Sequence, residues 1–304
     1  MPGGCWERED SVYEEKLVSA MTLMLLLTSM LMLAYKVQPV KASGTICIRA
    51  DGSIDPPTAP ILRNEDLYTL TGNITSDTDG IVIERDNMTL DGAGYILKGG
   101  DDTLTKGIFL CERMNVTIRN MKISCFDYGI YLNETSNSIV SGNDIFCSIF
   151  IGSGDIGIFL EHSSYNSVSE NSIRSHFSYG IHLINSSYNN IFGNDIATGW
   201  YFWGATAIAL HSSLNNNISG NQISNNVDGI VLSSSSNNVA SKNSITAESL
   251  KSGKRYGMYL DRSSNNSMSE NTLVNCSMFV QASYQNVVDD NLVNGKPLIY
   301  LEGE

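Results

Sequence analysis

The apolar residues of this chain come in short pulses that recur over a period far longer than a helical turn or a strand repeat. The phrase G-I-x-L opens each period: GIVI at Gly80, GIFL at Gly107, GIYL at Gly129, GIFL at Gly157 and GIHL at Gly180. It continues as AIAL at Ala207, GIVL at Gly229, GMYL at Gly257 and SMFV at Ser277. Successive starts lie 27, 22, 28, 23, 27, 22, 28 and 20 residues apart. Each unit holds three pulses. The first is the pair one and three residues after the start, such as Ile130 and Leu132. The second falls near eleven residues on, at Val140, Val168, Ile191, Ile218, Met268 and Val288. The third, sixteen on, reads Ile96, Ile123, Ile145, Ile173, Ile196, Ile223, Ile245, Leu273 and Val293. Alternating inward and outward residues mark short strands, and no stretch keeps a 3.6-residue period over helix length. One such unit cannot bury its own apolar face, so stacking must supply the core. The expected fold is all-β: a right-handed parallel β-helix of about nine coils with three strands per coil.

Polar columns mark the corners. Fourteen residues after each start stand Asn143, Asn171, Asn194, Asn221, Asn243, Asn271 and Asn291. Asn tolerates the left-handed backbone that a tight corner needs, and stacked amides can hydrogen-bond as a ladder. A second column, six residues after the start, holds Thr135, Ser163, Ser186, Ser213, Ser235, Ser263 and Ser283. Both columns read as structural.

Residues 17–35 carry no charge, follow Lys16, and precede small residues at Val40 and Ala42. That pattern is a cleaved leader or a retained anchor, and either one exports the rest. The expected organisation is a leader or membrane anchor over 1–42, a capping segment over 43–76, and the repeat domain over 77–304 with a short C-terminal strand. The segment over 43–73 is expected to cover the first coil, and KPLIYL, from Lys296, to add the last strand. Export brings the N-x-[ST] sequons Asn73, Asn87, Asn115, Asn133, Asn185, Asn217, Asn265 and Asn275 into play as candidate glycosylation sites.

Composition narrows the partners. A net charge of −13, with 19 Lys and Arg among 304 residues, argues against nucleic acid and anionic membranes. Membrane contact is expected only through the N-terminal segment. The cysteines show no CxxC spacing, so no zinc site is expected. Cys125 and Cys147 occupy equivalent repeat positions and are expected to stack as buried thiols or as a disulfide.

The pattern GI-x-L…SS-x-N…N-x-I across residues 129–293 resembles the parallel β-helix repeats of NosD-type proteins. It is also similar to the carbohydrate-binding and sugar-hydrolase (CASH) domains. The stretch IRADGSIDPPTAPI from Ile48, with GIVIERDNMTLDGAGY from Gly80, resembles archaeal surface proteins of that class. The resemblance covers residues 45–300 and implies the fold strongly. On the functional side it implies a surface polymer binder, a polysaccharide lyase, hydrolase or epimerase, a copper-maturation factor, or an inert envelope protein.

No catalytic, metal or cofactor residue stands out. Gly100-Asp101-Asp102 lies in a variable connection, and Asp144 and Asp195 are expected to face solvent. His162, His176, His182 and His211 sit at different repeat positions. His182 takes the outward slot of its strand, in a surface column with Phe109, Tyr131, Phe159, Tyr259 and Phe279. One feature rises above the scaffold. Insertions over 98–106, 146–156, 197–206 and 246–256 recur at one corner of alternate coils, where loops of a solenoid project as a binding side. They contain Trp200, Tyr201 and Trp203, with Phe150 and Tyr256 in adjacent long loops. These five are the candidate carbohydrate-binding residues, since exposed aromatic faces suit sugar rings. The competing use is packing over a coil edge. The expected function is a non-catalytic, exported β-helix that binds a polysaccharide or cell-surface glycan, with no cofactor.

Overall fold

The computed structural model describes residues 44–100, 104–146, 155–175, 178–198, 205–224, 228–247 and 256–301, together with Ser19, Met21, Thr22 and Met24. The chain divides into a unit over Met1–Pro39 and a unit over Val40–Glu304. In the first, the four described residues are helical. Among the described residues no helix is long and apolar enough to cross a membrane. Trp200, Tyr201, Trp203, Phe150, Cys147, His176, Asp101 and Asp102 lie outside the described residues.

The second unit is a parallel β-helix. Among the described residues its strands form three sheets of eleven, and each strand pairs with its equivalent one coil away. In every sheet ten strands run parallel and one end strand runs antiparallel. This gives ten coils, one more than the G-I-x-L count. The extra coil consists of Ile46–Ile48, Leu67–Leu70 and Ile74–Ser76, where ICI stands in place of the G-I-x-L phrase. The same N-terminal stretch also supplies two covering strands, Ile54–Asp55 and Ile61–Asn64, antiparallel to that coil. At the other end Lys296–Pro297 pairs antiparallel with Leu292–Val293. Such end strands blunt the open edges of a solenoid.

The inward residues match the three pulses, and the isoleucines at 108, 130, 158, 181, 208 and 230 are at most 1% exposed. One position differs. Leu97, not Ile96, continues the third inward column. It pairs in register with Ile123 and is fully buried, whereas Ile96 is 39% exposed. The coil from Gly80 is one residue longer before its third strand, and a slip of one reverses the face of every side chain. The G of G-I-x-L is a packing requirement. A Cβ on Gly129 would stand 2.5 Å from the Gly157 carbonyl oxygen and 2.5 Å from Ile145 Cγ2.

The Asn column forms a continuous buried ladder. Each Nδ2 donates to the Oδ1 of the next coil's Asn, from Asn143 to Asn171 at 2.9 Å through to Asn271 and Asn291 at 2.8 Å. The same Oδ1 also accepts the backbone N–H of the previous coil's Asn. The left-handed corner is not at Asn, contrary to expectation. It falls one residue earlier, at Gly142, Glu170, Gly193, Gly220, Lys242, Glu270 and Asp290, all with φ between 51° and 64°. Asn is needed to hydrogen-bond the turn from inside, while its exposed predecessor absorbs the unusual backbone. The Ser/Thr column works the same way, its hydroxyls accepting backbone N–H groups from Thr135 to Ser163 and on to Ser283. A second Asn ladder, not recognised as one in the sequence, runs through Asn166, Asn189, Asn216, Asn238, Asn266 and Asn286.

Candidate functional site

The three sheets differ on their outer faces. The second and third present mainly Ser, Thr, Asn and charged residues, whereas the first presents aromatic rings in contact. Two columns build this strip. One is the outward slot of G-I-x-L, with Phe109, Tyr131, Phe159, His182, Tyr259 and Phe279. The other is the residue just before each start, with Tyr128, Tyr179 and Tyr256. The sequence hid the second column because it flanks a glycine rather than an apolar residue. The signal was the recurrence YGIYL, YGIHL, YGMYL.

Ring contacts fall into two groups. Toward the N-terminal end Tyr131 lies 5.3 Å from Phe109, 5.4 Å from Tyr128 and 4.8 Å from Phe159. The ammonium of Lys106 stands 5.2 Å above the Phe109 ring. Toward the C-terminal end Tyr256, Tyr259 and Phe279 make a triad with centroids 5.0 to 5.5 Å apart. Ala209 and Val231 separate the groups in the outward column. From His182 to Tyr259 is three coils, or about 14 Å at the spacing of neighbouring strands. Of the candidate binding residues Tyr256 is the one described. It is half-buried and packed against its triad partners, so the structure joins it to the first sheet's outer face. The four long connections leave the third sheet at Gly99, Phe146, Thr198 and Thr246 and rejoin the first at Lys106, Ile156, Thr206 and Tyr256. All root at the same corner, beside this strip.

The centre of the strip is covered. Phe159 is 7% and His182 is 6% exposed, although both point away from the core. His182 is therefore not a surface residue, and the histidines do not stay apart. Its Nε2 stands 2.9 Å from Nδ1 of His211 on the next coil, and its ring stacks 4.1 Å from Tyr179. The residue two after the start of one coil and the residue four after the start of the next are neighbours across a sheet, a proximity that position-by-position reading misses. Burial, then the neighbouring His211, pushes the His182 pKa down to about 3, and burial lowers His211 as well. Both rings are neutral at pH 7. Nδ1 of His182 is buried without a hydrogen-bond partner. The proton therefore sits on Nε2 and is donated to His211, since a buried donor left alone is the costlier arrangement.

Carboxylates border the strip. The Tyr131 hydroxyl donates a hydrogen bond to Glu161, and burial together with that bond raises the tyrosine's pKa. Asp127 accepts the Thr105 backbone N–H at 3.0 Å, and Asp155 lies fully buried on the next coil. Burial, then the charge of Asp127, moves Asp155 up to about 7. Asp127 holds a corner, as Asp79 and Asp228 do for the N–H groups of Lys106 and Tyr256. These aspartates thus read as structural. Asp144 and Asp195 are exposed on the third sheet, and Asp195 pairs with Arg174 at 2.7 Å. Cys47, Cys111, Cys125 and Cys276 are free thiols. Of the sequon asparagines seven are exposed, and Asn133 is half-buried.

The geometry defines the class, a parallel β-helix with one aromatic outer face. Residues 156–303 match the family model described as "Right handed beta helix region". Residues 38–199, more than half of the chain, match the model described as "Periplasmic copper-binding protein (NosD)", and the chain belongs to that family. No curated protein matches its sequence. Among solved structures it is similar to the Dettilon tailspike protein, at 14% identity and TM-score 0.52, over 84% of this chain and 60% of that one. The enzymatically active domain of bacteriophage CBA120 tailspike protein 2 aligns at 12% identity and TM-score 0.56, over 78% and 45%. The Streptococcus pneumoniae surface protein and adhesin PfbA aligns at 12% and 0.52, over 74% of each chain. The chain thus spans less than two thirds of each tailspike chain. At these identities the likeness shows the fold.

The family description raises copper, so the donor set matters. Copper takes imidazole, thiolate or thioether ligands in close sets. Among the described residues no group of three His, Cys, Asp or Glu converges. The His182–His211 pair is a hydrogen bond in which each ring occupies the other's facing nitrogen. Binding a metal at His182 Nε2 would move the proton to Nδ1, where no acceptor waits, whereas ligating histidines almost always donate that second N–H. The described residues do not fit a copper centre.

Proposed function

We propose that this protein is an exported β-helix that binds a glycan along the outer face of its first sheet and performs no chemistry on it. The observation that carries the reading is the two groups of touching aromatic rings that the described residues place on this outer face and not on the other two. Such rings offer flat apolar surface to sugar C–H groups, and Tyr hydroxyls offer polar contacts at the edge. Export is supported by the apolar N-terminal segment and by the periplasmic description of the family. An adhesin and tailspikes share the fold, which supports a surface role in kind. The rim residues Trp200, Tyr201, Trp203 and Phe150 belong to the proposal, because the loops that hold them root beside the strip.

Passing the protein over a set of immobilised polysaccharides, with cleavage of each followed in parallel, tests this. Retention without loss of polymer length is expected. The double variant Trp200→Ala, Trp203→Ala should lose retention with a nearly unchanged melting temperature. If the two rings are packing instead, the variant should lose about 3–5 kcal/mol per ring. Polymer shortening by the wild type would mean that the face is an active site.

A further inference from the structure

Three diagonal pairs tie the aromatic strip together, and one of them has more polar capacity than its structural task needs. In each, the residue two after a start donates to the residue four after the next start. Tyr131 donates to Glu161, His182 to His211, and Tyr259 to Gln281, the last at 3.3 Å. Each pair fixes a ring of the strip across two coils. Gln281 shows that a neutral amide oxygen suffices for this. Glu161 does the same with a carboxylate, and a half-buried charge beside aromatic rings costs desolvation unless something pairs with it. Among the described residues no cation pairs with Glu161, and its Oε1 accepts no hydrogen bond.

The surroundings of that oxygen suit a sugar ring. Glu161, Asn133 and Cys111 stand in register on successive coils, about 4.8 Å apart. Nδ2 of Asn133 donates to the Cys111 sulfur at 3.4 Å, which leaves its Oδ1 without a donor among the described residues. Beside this column run the rings of Phe109, Tyr131 and Phe159, and Tyr128 stacks on the last two. The backbone beneath is fixed, since the Glu161 carbonyl accepts from the Ser163 hydroxyl at 2.8 Å and from the Glu134 N–H at 2.9 Å. Flat apolar surface is thus edged by two preset acceptors, and the Tyr131 proton is already spent. Whatever binds against this edge must bring its own donors. Sugar hydroxyls do so, whereas ethers and esters bring none, and a carboxylate would meet Glu161 as a like charge. The plain alternative is that Glu161 only holds Tyr131 and helps to keep an acidic protein soluble. Its unused oxygen, turned to the same edge as that of Asn133, favours a ligand role.

We infer that Glu161 and Asn133 form the polar edge of a subsite at the N-terminal ring group, one that takes a neutral sugar through its free hydroxyls. This rests on the glycan-binding reading above and refines it to a subsite and a substrate class. The test is titration calorimetry of the full chain with a soluble glucan, galactan and mannan, each beside its O-methyl ether. At least one unsubstituted polymer should bind, and at least about tenfold more tightly than its ether, the worth of one hydrogen bond to a charged group. Glu161→Gln keeps an oxygen for Tyr131 but puts an amide donor where the second acceptor stood. It should shrink that preference to about threefold or less, with the melting temperature nearly unchanged. Glu170→Gln, at the exposed corner between the second and third sheets, removes the same charge and should change nothing.

Equal affinity for polymer and ether overturns the inference and leaves glycan binding standing. So does an unaltered preference in Glu161→Gln, since Glu161 would then serve Tyr131 alone. An equal loss from Glu170→Gln overturns it too, because non-specific charge would account for the effect. If other polysaccharides are retained but none of the three neutral ones binds, the inference falls by itself. If no polysaccharide binds at all, the reading beneath it falls as well.

Discussion

Replacing Asn194 by Ala should destabilise the β-helix by about 3–5 kcal/mol, because one side chain serves several buried groups, each costing about 1–3 kcal/mol when left unsatisfied. Its Nδ2 donates to Asn221 Oδ1 at 3.0 Å and to the Val168 carbonyl at 2.9 Å. Its Oδ1 accepts from both the backbone N–H and the Nδ2 of Asn171, each at 3.0 Å. The site is 1% exposed, so water does not replace these partners. By contrast Gly193, one residue earlier, is exposed and at φ 64°. Gly193→Asn should cost far less, since Asn is among the residues that enter this region most readily. Chemical denaturation of both variants checks the contrast. A mild Asn194→Ala would mean that the ladder is ornamental and that apolar stacking alone holds the coils.

The second large effect is a pH dependence with a definite sign. The folded pKa of Asp155, raised to about 7 from an ordinary 3.8, means that the folded chain holds this proton more tightly than the unfolded chain does. The stability it contributes is fully present below pH 4 and lost as pH rises through 7. Three units correspond to about 4 kcal/mol at most. His182 acts oppositely. Its folded pKa of about 3 lies below the ordinary 6.5, so its contribution is present above pH 6.5 and lost on acidification. The two oppose each other between pH 4 and 6.5. Above 6.5 Asp155 acts alone, so wild-type stability should fall from pH 6.5 to 8.5. Asp155→Asn should remove that fall and melt higher than wild type at pH 8.5, with the gap closing toward pH 5. A flat wild-type profile over that range would contradict the burial assigned to Asp155.

Much of the fold was legible because a stacked coil repeats its constraints: inward Ile, corner Asn and the close-packed glycine return in every unit. What the pattern obscured was local. Ile96 looked inward because it stands sixteen residues after Gly80, and only the longer coil there makes Leu97 the inward residue. The left-handed corner was assigned to the recurring Asn column. The backbone strain sits instead on its predecessor, which varies among Gly, Glu, Lys and Asp because its side chain faces water. The site was harder to read. Phe109, Tyr131, Phe159, Tyr259 and Phe279 announced an outward aromatic column. Their contacts with Tyr128, Tyr179 and Tyr256 depend on ring geometry across coils, and so does the meeting of His182 with His211. Spacing within one unit does not encode either.

The most direct measurement compares two faces of the same protein. Tyr256→Ala with Tyr259→Ala removes two rings from the first sheet's outer face. Tyr165→Ala with Tyr188→Ala removes two rings that stack 5.0 Å apart at a corner, 58% and 52% exposed, away from the strip. With folding verified by melting temperature, retention on the glycan that the wild type binds should vanish in the first variant and persist in the second. Retention lost in the second and kept in the first would contradict the placement of the binding face on the first sheet.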